Sequence, residues 1–277
     1  MTVDIHTHYW EPGDFNVKTM EDAESSGGVF ARFDITSSQH LEETKAVDCA
    51  IVFGLRSSGL NVPNDTVKAQ VDRAPNRLIF FTSVNPAEAG YMEELERTHQ
   101  DLGAKGIKLG PIYQGVHPHD PRYHRIYAYA ERHNLPIVIH MATTFANDYP
   151  LSYARPILMD DIALAYPDLK IVLAHLGHPW SEEAISVIRK QPNVYADVSA
   201  LYYRPWQFYN TMRVLVEYGS WGKVMFGSDF PFTTPADSLA GVRNLNHIIK
   251  NSGLPEVPQE IIEDIITRDS LSILGID

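Results

Sequence analysis

The chain has 277 residues, of which 44% are hydrophobic, and it carries a formal charge of −12 at pH 7. Its length fits one large domain or two ordinary ones. The negative charge argues against a nucleic-acid-binding surface. No apolar run approaches the roughly 18 residues of a membrane span, and the first residues lack the basic and apolar regions of a signal peptide, so we expect no membrane partner and a cytoplasmic location. The single cysteine, Cys49, excludes an intrachain disulfide and a cysteine-rich zinc site.

Short apolar runs alternate with longer segments of helical spacing along the chain. The runs are near-continuous Val, Ile, Leu and Phe, which is typical of strands covered on both faces. They lie at residues 3–6, 50–54, 78–84, 106–110, 136–141, 170–177, 194–200 and 223–230. Buried strands in this number, alternating with helices over about 250 residues, predict an α/β fold, a TIM-type (β/α)8 barrel that forms a single domain over residues 1–277.

A doubly wound open sheet is the competing architecture. Such a sheet usually has a glycine-rich phosphate-binding turn after its first strand, whereas this chain has HTHYWEPGDF there. We place an irregular excursion at about residues 9–39, between the first strand and the first helix, with ESSGG inside it. The tail from Pro255 onward predicts a helix that closes the barrel and a short second helix.

Polar side chains follow four of the predicted strands at the points where those strands end. They are His6 and His8 on the first strand, His140 on the fifth, His175 on the sixth and Asp229 on the eighth. Side chains two apart on a strand share a face, and the carboxyl ends of barrel strands meet at one mouth. Histidines with a carboxylate and no thiol suit one divalent metal, Zn²⁺ first, with Mn²⁺ or Fe²⁺ as alternatives. Such a metal makes hydroxide available at neutral pH, and Asp229 could also accept the water proton, which is hydrolytic chemistry.

Four motifs carry a family resemblance. They are DIHTH at residues 4–8, IVIH at 137–140, LAHLG at 173–177 and FGSDFP at 226–231. In this order they resemble the amidohydrolase superfamily, and more narrowly the branch with aminocarboxymuconate-semialdehyde decarboxylase and related aromatic-acid decarboxylases. The resemblance implies a distorted (β/α)8 barrel and one metal held by His6, His8, His140 and Asp229. It also implies that His175 stays mostly off the metal, where it polarises the water or holds the substrate, and it is compatible with a homodimer.

Two histidine-containing loops offer alternatives to this assignment. His178 follows His175 by three residues, but it precedes a proline in a predicted loop, so we favour His175 as the catalytic residue and keep His178 as a substrate-binding candidate. A second His-x-His, His117 with His119, lies among prolines. We interpret it as a surface or substrate-facing loop rather than a metal site. For Asp229 itself, capping of the following turn is the alternative role.

Further residues are candidates for holding the substrate. An ammonium within a buried strand is costly unless it faces a polar site, so Lys108 either binds an anionic substrate, bridges two metals as a carboxylated lysine, or is structural. Arg56, just past the second strand, matches the geometry of a substrate carboxylate. Trp180 and Tyr203 are candidates for the wall of an apolar substrate site.

Three functions follow from these residues. The leading hypothesis is a metal-dependent hydrolase that uses activated water on a small organic acid, lactone, ester or amide. The alternative is a metal-dependent decarboxylase of an aromatic or muconate-type acid, in which Asp229 protonates carbon as CO₂ leaves. The third, a non-catalytic scaffold on an old barrel, is disfavoured because every polar strand-end group is present.

Overall fold

Parallel strands occur in the same order as the apolar runs of the sequence. The computed structural model describes residues 1–25 and 34–276. The described strands are β1 Val3–His8, β2 Cys49–Phe53, β3 Leu78–Phe80, β4 Thr82–Ser83, β5 Ile107–Leu109, β6 Ile137–Ile139, β7 Ile171–Leu173, β8 Val194–Asp197 and β9 Val224–Met225. β3 and β4 are two halves of one predicted run, so all eight predicted strands are present.

Hydrogen bonds connect these strands side by side in chain order. β1 pairs with β2 and β2 with β3, while β4 to β9 form a second series, and every pairing is parallel. The two series meet at Phe81, between β3 and β4. The Phe81 amide donates to the Val52 carbonyl at 3.0 Å, and the next amide, that of Thr82, donates to Gly106 at 3.0 Å. The run from β3 to β4 therefore acts as one strand that joins its two neighbours.

The last strand returns to the first. Ile5 donates its amide hydrogen to the Phe226 carbonyl at 3.1 Å, and Asp229 donates to the His6 carbonyl at 2.8 Å. These bonds run beyond β9 and place residues 226–230 against β1, which completes the ring of strands. The predicted (β/α)8 barrel is thus confirmed. Its closure places the first sequence motif, at residues 4–8, against the last, at residues 226–231.

Helices cover the outside of the ring. They are α1 Val17–Ser25, α2 Ser37–Glu43, α3 Asn64–Val71, α4 Tyr91–Gln100, α5 Pro111–Gln114, α6 Pro121–Arg132, α7 Leu158–Ala165, α8 Ser181–Lys190, α9 Pro205–Glu217, α10 Pro235–Arg243, α11 Gln259–Thr267 and α12 Ser270–Leu274. Local sequence fixes several of their starts: Thr36 and Gln39 form a capping box for α2, and Asp120 caps α6 ahead of Pro121. In the described part of the chain, no helix has the length and apolarity needed to cross a bilayer.

Two predicted irregular regions have different outcomes. The predicted tail is confirmed, because α11 and α12 are a helix and a short second helix. The predicted excursion contains α1 and ends where α2 begins, and Phe15 forms a bridge with Leu60 beside the barrel mouth. Residues 26–33 of the excursion, with most of ESSGG, lie outside the described residues.

The core has an inner and an outer layer. The inner cluster fills the ring and includes Ile5, Ile51, Phe53, Phe81 and Val138, all 0% exposed. The larger outer cluster lies between strands and helices. Such packing is dense enough that an added methyl group without space must displace its neighbours.

Gly106 provides a test of this packing. A β-carbon there would collide with the Phe81 ring, whereas a β-carbon at Gly222 meets nothing within 4 Å. We expect Gly106→Ala to lower the free energy of unfolding by roughly 1–3 kcal/mol, as overpacking does. Gly222→Ala should change it by less than about 0.5 kcal/mol. Urea denaturation of both variants measures the difference, and equal stabilities would contradict the packing described here.

Candidate active site

The five predicted strand-end residues meet at one end of the barrel. An Oδ1 atom of Asp229 lies 3.3 Å from Nε2 of His6 and 3.3 Å from Nε2 of His8. His175 Nε2 lies 3.1 Å from His140 Nδ1. One ligand atom from each of His6, His175 and Asp229 falls within 4.8 Å of the others, with His8 and His140 adjoining this group. The tightest group thus includes His175, which the family resemblance places off the metal.

A carboxylate that the sequence analysis missed orients two of these histidines. Asp197, at the end of β8, is 0% exposed, and its Oδ2 accepts a hydrogen bond from His6 Nδ1 at 2.9 Å. Its Oδ1 accepts the His175 amide at 3.0 Å and also the Ser199 hydroxyl. Ser199 Oγ lies 2.7 Å from His175 Nδ1, and since its own hydrogen goes to Asp197 it accepts there. Asp197 therefore places a hydrogen on Nδ1 of both His6 and His175.

The hydrogen bonds of three histidines determine where their ring lone pairs point. With hydrogen on Nδ1, His6 and His175 each present a bare Nε2. His140 Nε2 lies 3.1 Å from the carbonyls of Ala142 and Thr143, which only accept, so His140 carries its hydrogen there and presents a bare Nδ1. The His140 and His175 lone pairs face each other. Acceptors that converge in this way are stabilised by a cation.

Lys108 supplies a positive charge to this cluster. It is 2% exposed, and its Nζ lies 2.9 Å from the bare Nε2 of His6 and 4.6 Å from the centre of the Phe53 ring. Since His6 can only accept at Nε2, Lys108 is the donor of this hydrogen bond. It lies on β5 in register with Val138, a residue of the inner cluster, which explains why a lysine in a buried strand points into the barrel.

Burial controls the protonation of these groups. It lowers the pKa of His6 and His175 well below the usual value and that of His140 to about 3, and nearby positive or histidine groups add to the effect. These imidazoles are therefore neutral at pH 7. Burial also raises the pKa of Asp229, opposed by the charge of Lys108, and lowers the pKa of Lys108, opposed by Asp229.

The backbone at two strand ends is left-handed at residues other than glycine. His175 has φ 60°, the following Leu176 has φ 44°, and Asp229 has φ 65°. Each such residue costs of order 1–3 kcal/mol and persists only when its surroundings hold it. Here the His175 amide is held by Asp197 and the Asp229 amide by the His6 carbonyl. The strain turns both side chains toward the barrel mouth.

A further buried carboxylate joins the first and last strands below the site. Asp4 Oδ1 accepts the His6 amide at 3.1 Å and the Ser228 amide at 2.9 Å. Asp4 is 0% exposed, and burial raises its pKa to about 7 despite these bonds. Asp4 therefore fixes the distance between His6 and Ser228, the residue before Asp229.

A cavity of about 240 Å³ opens above this cluster. Its polar end contains His8, Lys108, His140, His175 and Asp229. Its apolar walls are formed by Trp10, Phe15, Leu55, Leu60, Ile112, Phe145 and Phe232. An apolar cavity of about 150 Å³ holds benzene, so this one has room for a substituted single ring.

The substrate-binding candidates divide into those that line the cavity and those that do not. Lys108, His178 and Tyr203 line it. Arg56 does not: its guanidinium pairs with Glu88 at 3.0 Å, on the next strand-to-helix loop. Trp180 lies outside as well, with the Arg155 guanidinium 5.3 Å from its ring centre.

The loop His-x-His belongs to a different surface, as expected. His117 Nδ1 accepts the His119 amide at 3.1 Å, and His119 Nε2 donates to the Leu158 carbonyl at 2.8 Å. Neither lines the cavity. A cation that the sequence analysis missed, Arg204, does line it, just past the seventh strand of the barrel.

The chain matches the family model described as amidohydrolase over residues 3–268. It therefore belongs to the amidohydrolase family, as the sequence motifs indicated, and it is an enzyme of that family.

Individual relatives are distant. The chain is 24% identical to 6-methylsalicylic acid decarboxylase from Penicillium expansum, over 87% of this chain and 88% of the relative. It resembles an uncharacterised TIM-barrel protein from Bordetella bronchiseptica, with a TM-score of 0.73, 20% identity and 99% coverage of each chain. It also resembles a dihydroxybenzoic acid decarboxylase from Polaromonas sp. JS666 with bound manganese and the inhibitor 2-nitroresorcinol, with a TM-score of 0.65, 13% identity, and coverage of 99% of this chain and 96% of the other. At these identities the structural likeness shows the shared fold.

The inferred tautomers can be measured directly. In chelator-treated protein at pH 7, we expect hydrogen on Nδ1 of His6 and His175 and on Nε2 of His140, because each faces an acceptor. Nitrogen NMR of isotope-labelled histidine distinguishes the two ring nitrogens. Ser199→Ala should alter the His175 signals and leave those of His140 on the same tautomer. Hydrogen on Nε2 of His175 in the unaltered protein would contradict the tautomer assigned to it.

Proposed function

We propose that the protein is a divalent-metal-dependent decarboxylase of a small aromatic carboxylic acid. The convergence of bare histidine nitrogens and a carboxylate beside an apolar cavity of single-ring size carries this proposal. The sequence relative named as a 6-methylsalicylic acid decarboxylase supports the choice of reaction. The proposal reverses the order of preference reached from the sequence, where hydrolysis stood first.

The donor set fits a divalent metal. We propose His6, His8, His140 and Asp229 as the residues that would hold it, with His175 directly beside them. The buried Nδ1 of His8 has no hydrogen-bond partner among the described residues, as is consistent with a side chain fixed by a ligand on its other nitrogen. Nitrogen and oxygen donors without thiols suit Zn²⁺ and also Mn²⁺. We favour zinc, although the Polaromonas neighbour carries manganese.

The residues of the chain supply binding, orientation and proton transfer. A divalent cation supplies Lewis-acid polarisation of a substrate oxygen when it is bound there. The apolar walls take the ring and exclude water, while the bare Nε2 of His175 accepts a hydrogen bond from a substrate hydroxyl. The bond between ring carbon and carboxylate carbon breaks, its electron pair stays on the ring carbon and CO₂ leaves. The carboxyl group of Asp229 donates a proton to that carbon and recovers one from solvent.

Hydrolysis is the second candidate function, and the family's name favours it. In that reaction Asp229 would accept the proton of the attacking water and pass it to the leaving group, while the bare Nε2 of His175 accepts a hydrogen bond from that water. The same residues serve both reactions. The substrate would then be a small lactone, ester or amide rather than an acid that loses CO₂. A single domain, a cytoplasmic location and a homodimer stay predictions alongside either reaction.

Metal binding tests the first part of the proposal. Protein purified without chelator or histidine tag should contain about one equivalent of divalent metal by elemental analysis. Asp197→Asn should weaken its affinity about 10- to 100-fold, because it removes the acceptor that orients His6. Competition with a chromophoric chelator measures the affinity.

Asp72→Asn is the control, since Asp72 is exposed, pairs with Lys68 away from the cavity and should leave the affinity unchanged. About two equivalents of metal would instead favour a carboxylated Lys108. No metal, with none taken up on reconstitution, would contradict the proposal.

Turnover tests the second part. We expect CO₂ release from a panel of hydroxybenzoates and little activity on esters and lactones. Asp229→Asn should lower kcat by at least about 100-fold, because it removes the proton donor. Mass spectrometry of released CO₂ and elemental analysis of the variant separate lost chemistry from lost metal. Activity confined to the ester and lactone panel would establish hydrolysis instead, and near-normal rates in metal-loaded Asp229→Asn would remove Asp229 from the mechanism.

A further inference from the structure

Arg204 lies on the cavity wall without an acidic partner. It precedes α9, its Nη1 donates to the Ala200 carbonyl at 2.5 Å, and its guanidinium carbon lies 4.5 Å from the centre of the Tyr203 ring. No carboxylate of the described chain forms an ion pair with it. Arg56 differs in this respect, because Glu88 neutralises it outside the cavity. Arg204 thus presents a guanidinium to the cavity that is free of a direct ion pair, and its charge reaches Asp229 from a distance.

His178 also lines the cavity, within reach of the charge of this guanidinium. It is 5% exposed, and within the described ranges neither of its ring nitrogens has a hydrogen-bond partner. Burial lowers the pKa of His178 to about 3, and the charge of Arg204 adds to the effect. The imidazole is therefore neutral and keeps one N–H available as a donor. An unpartnered donor and a guanidinium on the wall of one cavity are suited to an anionic ligand.

Other charged groups of the cavity are already engaged. Asp148 pairs with Lys18 at 2.8 Å, and Lys108 donates to His6. Asp229 faces His6 and His8. Of the two basic side chains among the described residues that line the cavity, Lys108 donates to a histidine, so Arg204 is the one open to a substrate anion.

We propose that Arg204, assisted by His178, binds the carboxylate of the substrate, and that the rest of the substrate is an apolar ring. A guanidinium fork matches two carboxylate oxygens. The cavity wall also includes Trp10, Phe15 and Leu60, which carry no charge and can take the ring of such a substrate. This inference rests on the proposed function, since it names the substrate group that the same cavity recognises.

Ligand binding tests the inference without turnover. Calorimetry of the protein as purified compares benzoate and salicylate with their neutral amides. We expect the unaltered protein to prefer each acid over its amide by at least about tenfold, as hydrogen bonds to charged groups allow. Arg204→Met should abolish this preference by weakening acid binding about 10- to 100-fold, with amide binding within about twofold. Arg204→Lys should retain part of it, because the charge remains.

Arg189→Met is the matched control, because Arg189 also lies over a tyrosine ring, 5.2 Å from the centre of Tyr218, and outside the cavity. Equal losses for acid and amide in Arg204→Met would show a structural role and overturn the inference. So would loss of the preference in Arg56→Met instead, or its absence from the unaltered protein. Acid preference without CO₂ release would leave the inference standing and remove the decarboxylase proposal, so the two fail separately.

Discussion

The Asp197 carboxylate is the interaction on which the rest of the site depends. A buried carboxylate costs several kcal/mol unless hydrogen bonds compensate it. Asp197 accepts from the His6 ring, from the His175 amide, and from both the amide and the hydroxyl of Ser199. Because those donors point at Asp197, the opposite ring nitrogens of His6 and His175 are left bare and face the cavity. The Asp197 carboxylate thus determines that Nε2 of His6 and Nε2 of His175 are the nitrogens available to a ligand.

The closed barrel stabilises this arrangement. Closure between β1 and residues 226–230 brings Asp229 against His6, although the two are far apart in sequence. The left-handed backbone at His175 and Asp229 would be unfavourable in isolation. It persists because the amide of each residue is bonded within the ring of strands, and because Asp4 ties His6 to Ser228 underneath. Strain at the mouth is therefore borne by hydrogen bonds below it.

The sequence allowed the fold and part of the site to be predicted, and the limits have physical reasons. Buried strands read as apolar runs, and a polar residue at the end of such a run must face the mouth or remain unsatisfied, which identified the histidines and Asp229. The same rule applies to Asp197, which follows Val194 and Ala196 within the seventh run, and could have found it. The substrate contacts could not be found in this way, because Arg56 and Arg204 both lie in loops. Whether a loop arginine faces a cavity or a carboxylate such as Glu88 is decided by contacts between loops, which no local pattern records.

Lys108 shows how the charge balance of the site connects structure to chemistry. Bare nitrogens and a carboxylate that converge in a buried site repel one another unless a cation lies among them. In this structure the ammonium of Lys108 fills that need by donating to His6, with the Phe53 ring beneath it. A divalent cation bound by His6 would take the same lone pair, so the ammonium and the metal compete for one nitrogen. A protonated Lys108 that leaves His6 keeps its charge next to Asp229, where it offsets negative charge. Lys108 therefore has a role in the site without bridging two metals.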